Sequence, residues 1–505
     1  YADHRDLHSF PPRRSSDLET TYYFSVDLGA TSGRTVLSSF DGERIVMKEL
    51  TRFKNPIIPL GGHMYWDLPA LYYEVLLGLR KVSEEKVLLK SIGIDTWGCD
   101  FACFGIDGQL LGLPYSYRDS HTEGAQREFF EKMPPEELYD KTGIQIMDFN
   151  SVFQLDTLIR NNASCLKNAY KILFMPDALI YMLTGEAVCE YTIASTSQML
   201  NHSTGDLDES ILKVLGLERE QFGKMVKPGT VVGKLTSQVR EFTGLGDVEV
   251  VAVAGHDTGS AVAAIPSSDD NYAFLSCGTW SLLGIELKKP VITRESFDAN
   301  FTNEGGVEGT VRFLKNICGL WIFEQSRKEF KDKEYSVGEL ISLCRKEKIS
   351  SLIDPDDPCF SYPLSMTAAI DAYCKKTGQT VPAAPGEYCR VIFRSLALRY
   401  RQVVESLRFF SPGKISRLQV IGGGSQNEYL MQCASDALNM PVICGPVEGT
   451  ALGNALMQIK SAGSVNSLSE MRSIVKSSVV LRTFYPENPE DWSAVYQKFL
   501  EIQNK

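Results

Sequence analysis

Two short stretches about 250 residues apart share one design, and no other feature constrains the fold as much. "YYFSVDLGATSGRTVLSSF" (22–40) sets two runs rich in β-branched and aromatic residues around a Gly/Ser/Thr turn. "NYAFLSCGTWSLLGIEL" (271–287) repeats the device, with Cys277, Gly278 and Thr279 at its tip. Each reads as a β-hairpin with a small-residue loop. Recurrence at that distance predicts two domains of related design rather than one sheet. At 505 residues the chain is in any case too long for a single core.

Between the hairpins, strand and helix signals alternate. "LKSIGIDTWGCDFACFGIDGQLLG" (89–112) predicts a strand, a turn at Trp97 and Gly98, a second strand and a hairpin at Asp107 and Gly108. "PPEELYDKTG" opens a helix with proline in its first turn and stops it at Gly143. Residues 320–350 show helical spacing, and residues 388–409 form the longest amphipathic helix, leading into the strand of "RLQVIGGGSQN". No low-complexity linker separates the halves. The expected division is residues 19–264, residues 265–485 and a closing helix at 486–505, with a hinge near 265 in a closely packed pair.

Composition excludes several function classes. A net charge of −11 leaves no basic surplus for nucleic acid or an anionic membrane. No apolar run reaches the length of a membrane-spanning helix. The twelve cysteines are scattered without any CxxC, so reduced thiols and a cytoplasmic setting are expected, and a zinc site is not. Only six histidines occur, two of them within the first ten residues. Residues 1–18, with "HSFPPRRSSDL", lack the apolar core of a signal peptide. Back-translated, they resemble a sequencing-library adapter, and the expectation is a non-native leader; a disordered basic leader is the alternative.

The stretch "VVAVAGHDTGSAVA" (250–263) places Asp257 among the smallest apolar residues. A buried carboxylate is costly unless hydrogen-bonded or used. A short buried strand at 250–254 and a small-residue helix from Gly259 to Ile265 would put Asp257 at a helix N-terminus. On local evidence it is an N-cap or a catalytic base, and the two readings are compatible. Four stretches combine Gly with Ser, Thr or Asp directly after a strand: Asp27–Arg34, the Asp257 segment, Cys277–Ser281 and Gly422–Asn427. Such turns expose successive N–H groups that suit phosphate. No GxxxxGK[ST] is present, and "GGGSQN" fails GxGxxG.

Taken in order, "VDLGATSGR", "IDTWGCDF", "GHDTGSAV", "LSCGTWSLLG", "TNEGG", "LKNICGLW" and "VIGGGSQN" resemble the FGGY carbohydrate kinases, and within them the rhamnulokinases. The resemblance spans residues 22 to about 485. It implies an α/β fold of two actin-like ATPase (ribonuclease H-like) domains flanking a central cleft, with the sugar and phosphate site in the first domain and the nucleotide site in the second. It also implies ATP with Mg²⁺, L-rhamnulose as acceptor at its 1-hydroxyl in L-rhamnose breakdown, and a monomer or weak homo-oligomer in the cytoplasm.

By the same resemblance Ala30, Thr31, Ser32, Gly33 and Arg34 form the first phosphate loop, and Asp27 stands near Mg²⁺ through its water shell. Thr279 meets the γ-phosphate from the other domain. Gly422, Gly423 and Gly424 form the adenine and ribose edge. Trp97, Gly98, His256, Asp257, Thr258 and Asn316 contact the sugar, with Asp257 as general base. On residue type alone, Trp97 would be core, Asn316 and Asp27 turn residues and Arg34 a solvated strand charge. Asp95 is open between an Asx turn and a part in the sugar or Mg²⁺ site.

Three positions depart from the pattern. "YRDSHT" has His121 where Arg is typical, Glu324 replaces a Gln near the nucleotide, and Cys99 replaces a common Val as a packing residue. The rival readings are another ketose kinase, for L-fuculose or xylulose, and a non-catalytic actin-like sensor that lacks the base.

Overall fold

The computed structural model describes residues 20–504 apart from 332 and 362, so the leader reading for residues 1–18 lies outside the described residues. The hairpin strands Thr21–Leu28 and Ser32–Phe40 pair antiparallel around the tip Gly29–Thr31. Ile45–Lys54 extends them into a meander. Thr21–Leu28 is buried over its last six residues, Tyr23 to Leu28, which marks it as a central strand. Leu89–Thr96 lies parallel to it, and a parallel neighbour requires a crossover. Helix Leu68–Glu84 makes that crossover, its N-terminus capped by Asp67, whose side chain accepts the Ala70 N–H at 3.0 Å. Glu249–Ala252 adds a second parallel strand, and Thr230–Lys234 closes the edge antiparallel.

The second sheet repeats the five central strands in the same order, but its antiparallel edge strand follows its neighbour in the chain where that of the first sheet precedes it. Tyr272–Cys277 and Trp280–Leu287 form the hairpin, and Val311–Cys318 completes the meander. Arg417–Ile421 and Val442–Cys444 follow parallel, with Arg482–Phe484 antiparallel at the edge. One further strand, Thr302–Gly305, is added outside Val311–Cys318. A three-strand meander continued by two parallel strands, occurring twice, is the duplicated ribonuclease H-like arrangement that the two hairpins predict. The long helix Pro385–Phe410 precedes Arg417–Ile421 and buries one stripe in the second core. Helix Pro489–Ile502 adds Trp492, Tyr496, Phe499 and Ile502 to the same core.

In each half the second parallel strand leads to a helix of small residues: Asp257–Ala263 after the first, Gly449–Ser461 after the second. The first begins at Asp257 rather than Gly259, and His256 occupies the N-cap position. The two helices touch backbone to backbone, for a Cβ on Gly453 would lie 1.8 Å from the Ser260 carbonyl oxygen. Gly449–Ser461 also leans on the first sheet. There the buried Gln458 donates to the Phe24 carbonyl at 3.0 Å and accepts the Ser91 hydroxyl at 2.8 Å. The halves therefore share a core, in which Tyr23 and Val251 meet Leu452, Leu456 and Met471.

The crossing yields a stability prediction. Gly453→Ala forces two backbones apart and is expected to cost roughly 1–3 kcal/mol or more, as overpacking does. Gly338→Ala, in a helix with nothing within 4 Å of the new Cβ, is expected to gain about 0.5–1 kcal/mol. Chemical denaturation of both variants checks the contrast.

Candidate active site

Three carboxylates and one arginine converge where the first sheet meets the crossing helices. Asp27 and Arg34 are cross-strand partners. Arg34 donates Nε and Nη2 to Asp27 Oδ2 at 2.9 and 2.6 Å. Its Nη1 pairs with Glu448, the residue before helix Gly449–Ser461. Arg34 is thus neither solvated nor free. Asp95 sits opposite Asp27 on the adjacent parallel strand. Its Oδ2 accepts the Asn454 amide at 2.6 Å, and its Oδ1 is buried without a partner. Burial first, and the Asp27 charge second, push the Asp95 carboxyl well above the usual range. The hairpin tip beside Asp27 and Arg34 is half-buried at Ala30 and exposed at Thr31. Asn55 holds it, donating its backbone N–H to the Thr31 carbonyl and its side-chain amide to the Gly29 carbonyl, both at 3.0 Å.

Asp257 is the first residue of its helix, and its Oδ1 accepts the Thr258 N–H at 2.6 Å and the Thr258 hydroxyl at 3.2 Å. Its side chain keeps 30% exposure against 9% for His256, so the carboxylate is the reachable group. Loss of bulk solvation, with Asp27 adding to it, raises its pKa despite the opposing His256. His256 Nε2 stands 3.5 Å from Asp257 Oδ1, while its Nδ1 lies 3.2 Å from Glu304 and 3.2 Å from both terminal nitrogens of Arg312. Arg312 and Glu304 are partners across strands of the second sheet, 3.1 Å apart and buried. Burial alone would raise the Glu304 pKa, but Arg312 and then His256 bring it below the usual value. Asn316 lies nearby. Gln145 Oε1 accepts both its backbone N–H and its amide N–H at 3.0 Å.

A cavity of about 1000 Å³ opens beside this network, lined by Thr279, Trp280 and Asn316 from the second half and by Tyr117, Arg118, Gln145 and Phe149 from the first. Neither Trp97 nor Gly98 is in its wall. Trp97 is a core residue: its ring lies 4.3 Å from that of Trp66, and it donates its indole N–H to Asp100 at 2.9 Å. Asp100 also takes N–H groups from Trp66, Tyr117 and Gln154. Burial lifts its pKa to about 6 even so. Gly98 packs against Thr196, and Cys99 beside it holds a left-handed φ of 71°. Cys99 is fixed by the Thr196 hydroxyl, which accepts its N–H at 3.0 Å, and by its carbonyl, which accepts the Ser151 hydroxyl.

The second hairpin tip is pinned from behind: the Leu320 and Trp321 N–H groups donate to the Gly278 and Thr279 carbonyls at 3.0 and 3.1 Å. Gly422 and Gly424 butt against Cys277 so closely that a Cβ would fall 3.0 Å from its carbonyl oxygen and 2.3 Å from its sulfur. Gly423 has open space above it. Glu324 turns its carboxylate onto Arg327 of its own helix at 2.8 Å. Of the residues the sequence singled out, Asp27, Arg34, Asp95, His256 and Asp257 form one electrostatic cluster, while Thr279 and Asn316 line the cavity. Glu304, Arg312, Gln145, Asn55, Asn454 and Glu448 were not assigned roles; "TNEGG" was the one signal that touched them.

Models of the FGGY family of carbohydrate kinases match residues 22–264 (N-terminal domain) and 273–462 (C-terminal domain). A rhamnulokinase of Bacteroides thetaiotaomicron is 52% identical over 478 residues, covering 94% of this chain and 98% of the relative. One from Lactiplantibacillus plantarum is 39% identical and covers 96% and 99%. Among solved structures, a gluconate kinase from Lactobacillus acidophilus has a TM-score of 0.80 at 16% identity over 96% of this chain and 98% of its own. A Plasmodium falciparum glycerol kinase with ADP gives 0.77 at 18% identity over 95% and 98%.

Asp95 supplies a test of the carboxylate cluster. Because its folded-state pKa is raised, the folded chain holds this proton more tightly than the unfolded chain, and stability is lost as pH rises above the ordinary aspartate value. Asp95→Asn is expected to raise the melting temperature by a few degrees at pH 7, with the gain fading towards pH 4. Melting curves across that range measure it, and a gain independent of pH contradicts the assignment.

Proposed function

The chain belongs to the FGGY family of carbohydrate kinases, and on that premise we propose that it transfers the γ-phosphoryl group of ATP to the 1-hydroxyl of L-rhamnulose. The observation that carries the choice of sugar is the 52% identity, along nearly the whole chain, to a protein named rhamnulokinase. The cytoplasmic setting belongs to the same reading and rests on the scattered cysteines, none of them in a CxxC. The duplicated sheets support a division of labour, with residues 19–264 serving sugar and phosphate and residues 265–485 serving the nucleotide.

Phosphoryl transfer asks a protein for positioning and charge stabilisation more than for covalent chemistry. In this reading Ala30, Thr31, Ser32, Gly33 and Arg34 meet the phosphates from one half and Thr279 meets them from the other. Gly422, Gly423 and Gly424 receive the adenosine, the open face of Gly423 supporting that role. Glu324, committed to Arg327, keeps its charge off the nucleotide. His256, Asp257, Thr258 and Asn316 bind the sugar, while Gly98 and Trp97, outside the cavity wall, act from behind it, Gly98 through its packing on Thr196 and Trp97 through Asp100.

Asp257 is the base that takes the hydroxyl proton as the oxygen attacks. A carboxylate whose proton affinity is raised, yet which remains reachable from the cleft, suits that task. Asp27 and Asp95, opposite one another with one buried oxygen unpartnered, fit a hard divalent cation that keeps most of its waters. Charge neutralisation on the phosphoryl oxygens is what Mg²⁺ held there supplies.

Asp257→Asn keeps the shape of the site and removes the proton acceptor. Turnover is expected to fall by ~10²–10⁴, about 3–5 kcal/mol of barrier, with little change in sugar affinity. A variant retaining more than about a tenth of wild-type turnover, well above that expected loss, returns Asp257 to a structural role. A coupled ADP assay over a ketose panel tests the sugar: L-rhamnulose is expected to give the highest kcat/KM, and L-fuculose or xylulose in first place overturns the choice.

A further inference from the structure

The cavity wall holds several basic side chains, and all but one are already committed. Lys315 donates Nζ to the Ala299 carbonyl at 2.7 Å, and burial lowers its pKa to about 8. Arg399 donates Nε to Asp356 at 2.8 Å and bonds Gln402 as well. His63 Nδ1 lies 3.0 Å from Asp119. Arg118 differs: among the described residues no carboxylate pairs with it. Its guanidinium lies over two aromatic faces, 4.6 Å from the Trp321 ring centre and 5.1 Å from that of Tyr117. Its Nη2 is buried with no hydrogen-bond partner.

Aromatic faces fix the plane of a guanidinium and stabilise its charge, but they take up none of its in-plane donors. A buried N–H without an acceptor is costly. Cavity, fixed plane and unmet donor together describe half of a ligand contact. Asn316 supplies the complementary half. The Asn316 backbone N–H can only donate, so the Gln145 atom it meets is Oε1, and the Asn316 amide then donates to that same oxygen. This leaves Asn316 Oδ1 as an acceptor. Hydroxyl groups, which both donate and accept, satisfy the pair.

The charge of the wall argues that this ligand is neutral. Glu123, Asp119, Asp148, Asp356 and Asp357 line the cavity too, at least balancing its cations. A sugar acid would meet those carboxylates, whereas a ketose would not be repelled. Resting on the ketose kinase reading above, we propose that Arg118 is a sugar-contacting, specificity-determining residue. It donates from its aromatic clamp to hydroxyls other than the one facing Asp257, which does not line this cavity.

Steady-state kinetics of Arg118→Met and Arg118→Lys test this, with sugar and ATP varied in turn. KM for the ketose is expected to rise about 10- to 100-fold in Arg118→Met, the loss of a charge-assisted hydrogen bond, and to rise also in Arg118→Lys, because a flexible ammonium does not reproduce the planar donors held over the two rings. KM for ATP should stay within about threefold, a margin well below that loss. Equal rises for both substrates indicate a structural role and overturn the proposal, as does an unchanged ketose KM. The lysine variant keeps the charge, so it carries the test alone should the methionine variant fail to fold. A second readout uses mono-deoxy ketoses: removing the contacted hydroxyl should weaken binding to the wild type but not further to Arg118→Met. The measurements use whichever ketose the panel selects, so failure of L-rhamnulose as substrate and failure of the Arg118 contact give different results.

Discussion

The contact between helices Asp257–Ala263 and Gly449–Ser461 decides where every charged group of the cleft stands. Only glycine at position 453 allows the second helix to lie against the Ser260 carbonyl, and that approach brings two helix N-termini to one place. Asp257 starts one helix, and Glu448 precedes the other and holds Arg34. Asn454, within the same second helix, reaches into the first sheet to Asp95. A shift of one helix would therefore move the base, the phosphate loop's arginine and the carboxylate pair together, because cores are close-packed and transmit strain. The crossing is also the junction of the two halves, so a change in their angle would act on the site through these same residues.

Opposing effects set the proton affinity of Asp257. Its helix start supplies the Thr258 N–H, which favours the ionised form, and His256 acts in the same direction. Removal from bulk water is the larger influence, with Asp27 adding to it, and the balance is a raised pKa. Asp27 itself is compensated by a two-nitrogen contact with Arg34, and Asp95 by a single amide. Ionisation of Asp95 is therefore the less compensated of the two, and it keeps its proton, although sequence alone could not separate it from a turn residue.

Features set by near neighbours in the chain were legible. Both hairpins, the stop at Gly143 and the helix around residues 388–409 follow from periodicity and from glycine or proline placement, and all are present. Features set by register across the chain were not. Glu304 and Arg312 face one another through strand pairing and reach His256 from far along the sequence. Gln145 and Asn316 are 171 positions apart. Residue type alone placed the Trp97 ring in the core, where it lies, but the gathering of the N–H groups of Trp97, Trp66, Tyr117 and Gln154 by Asp100 depends on contacts across the chain. Residue type at Asp257 suggested a cap, whereas the backbone gives that position to His256.

The histidine in "YRDSHT" gains a meaning from the same wall. His121 Nδ1 lies 2.9 Å from Asp119, which also takes the Met64 N–H at 2.6 Å and faces His63. The carboxylate thus ties the hairpin Ile57–Trp66 to the segment that carries Arg118. An arginine at position 121 could make that contact too, but it would bring a permanent charge. Burial pushes the His121 pKa down, more than Asp119 raises it, so near neutral pH the histidine makes the contact uncharged. The tether is kept while one cation is taken from the cavity's surroundings. The Arg118 guanidinium is then the principal uncommitted positive group facing a wall of carboxylates, a balance that suits polyhydroxylated neutral ligands better than anionic ones.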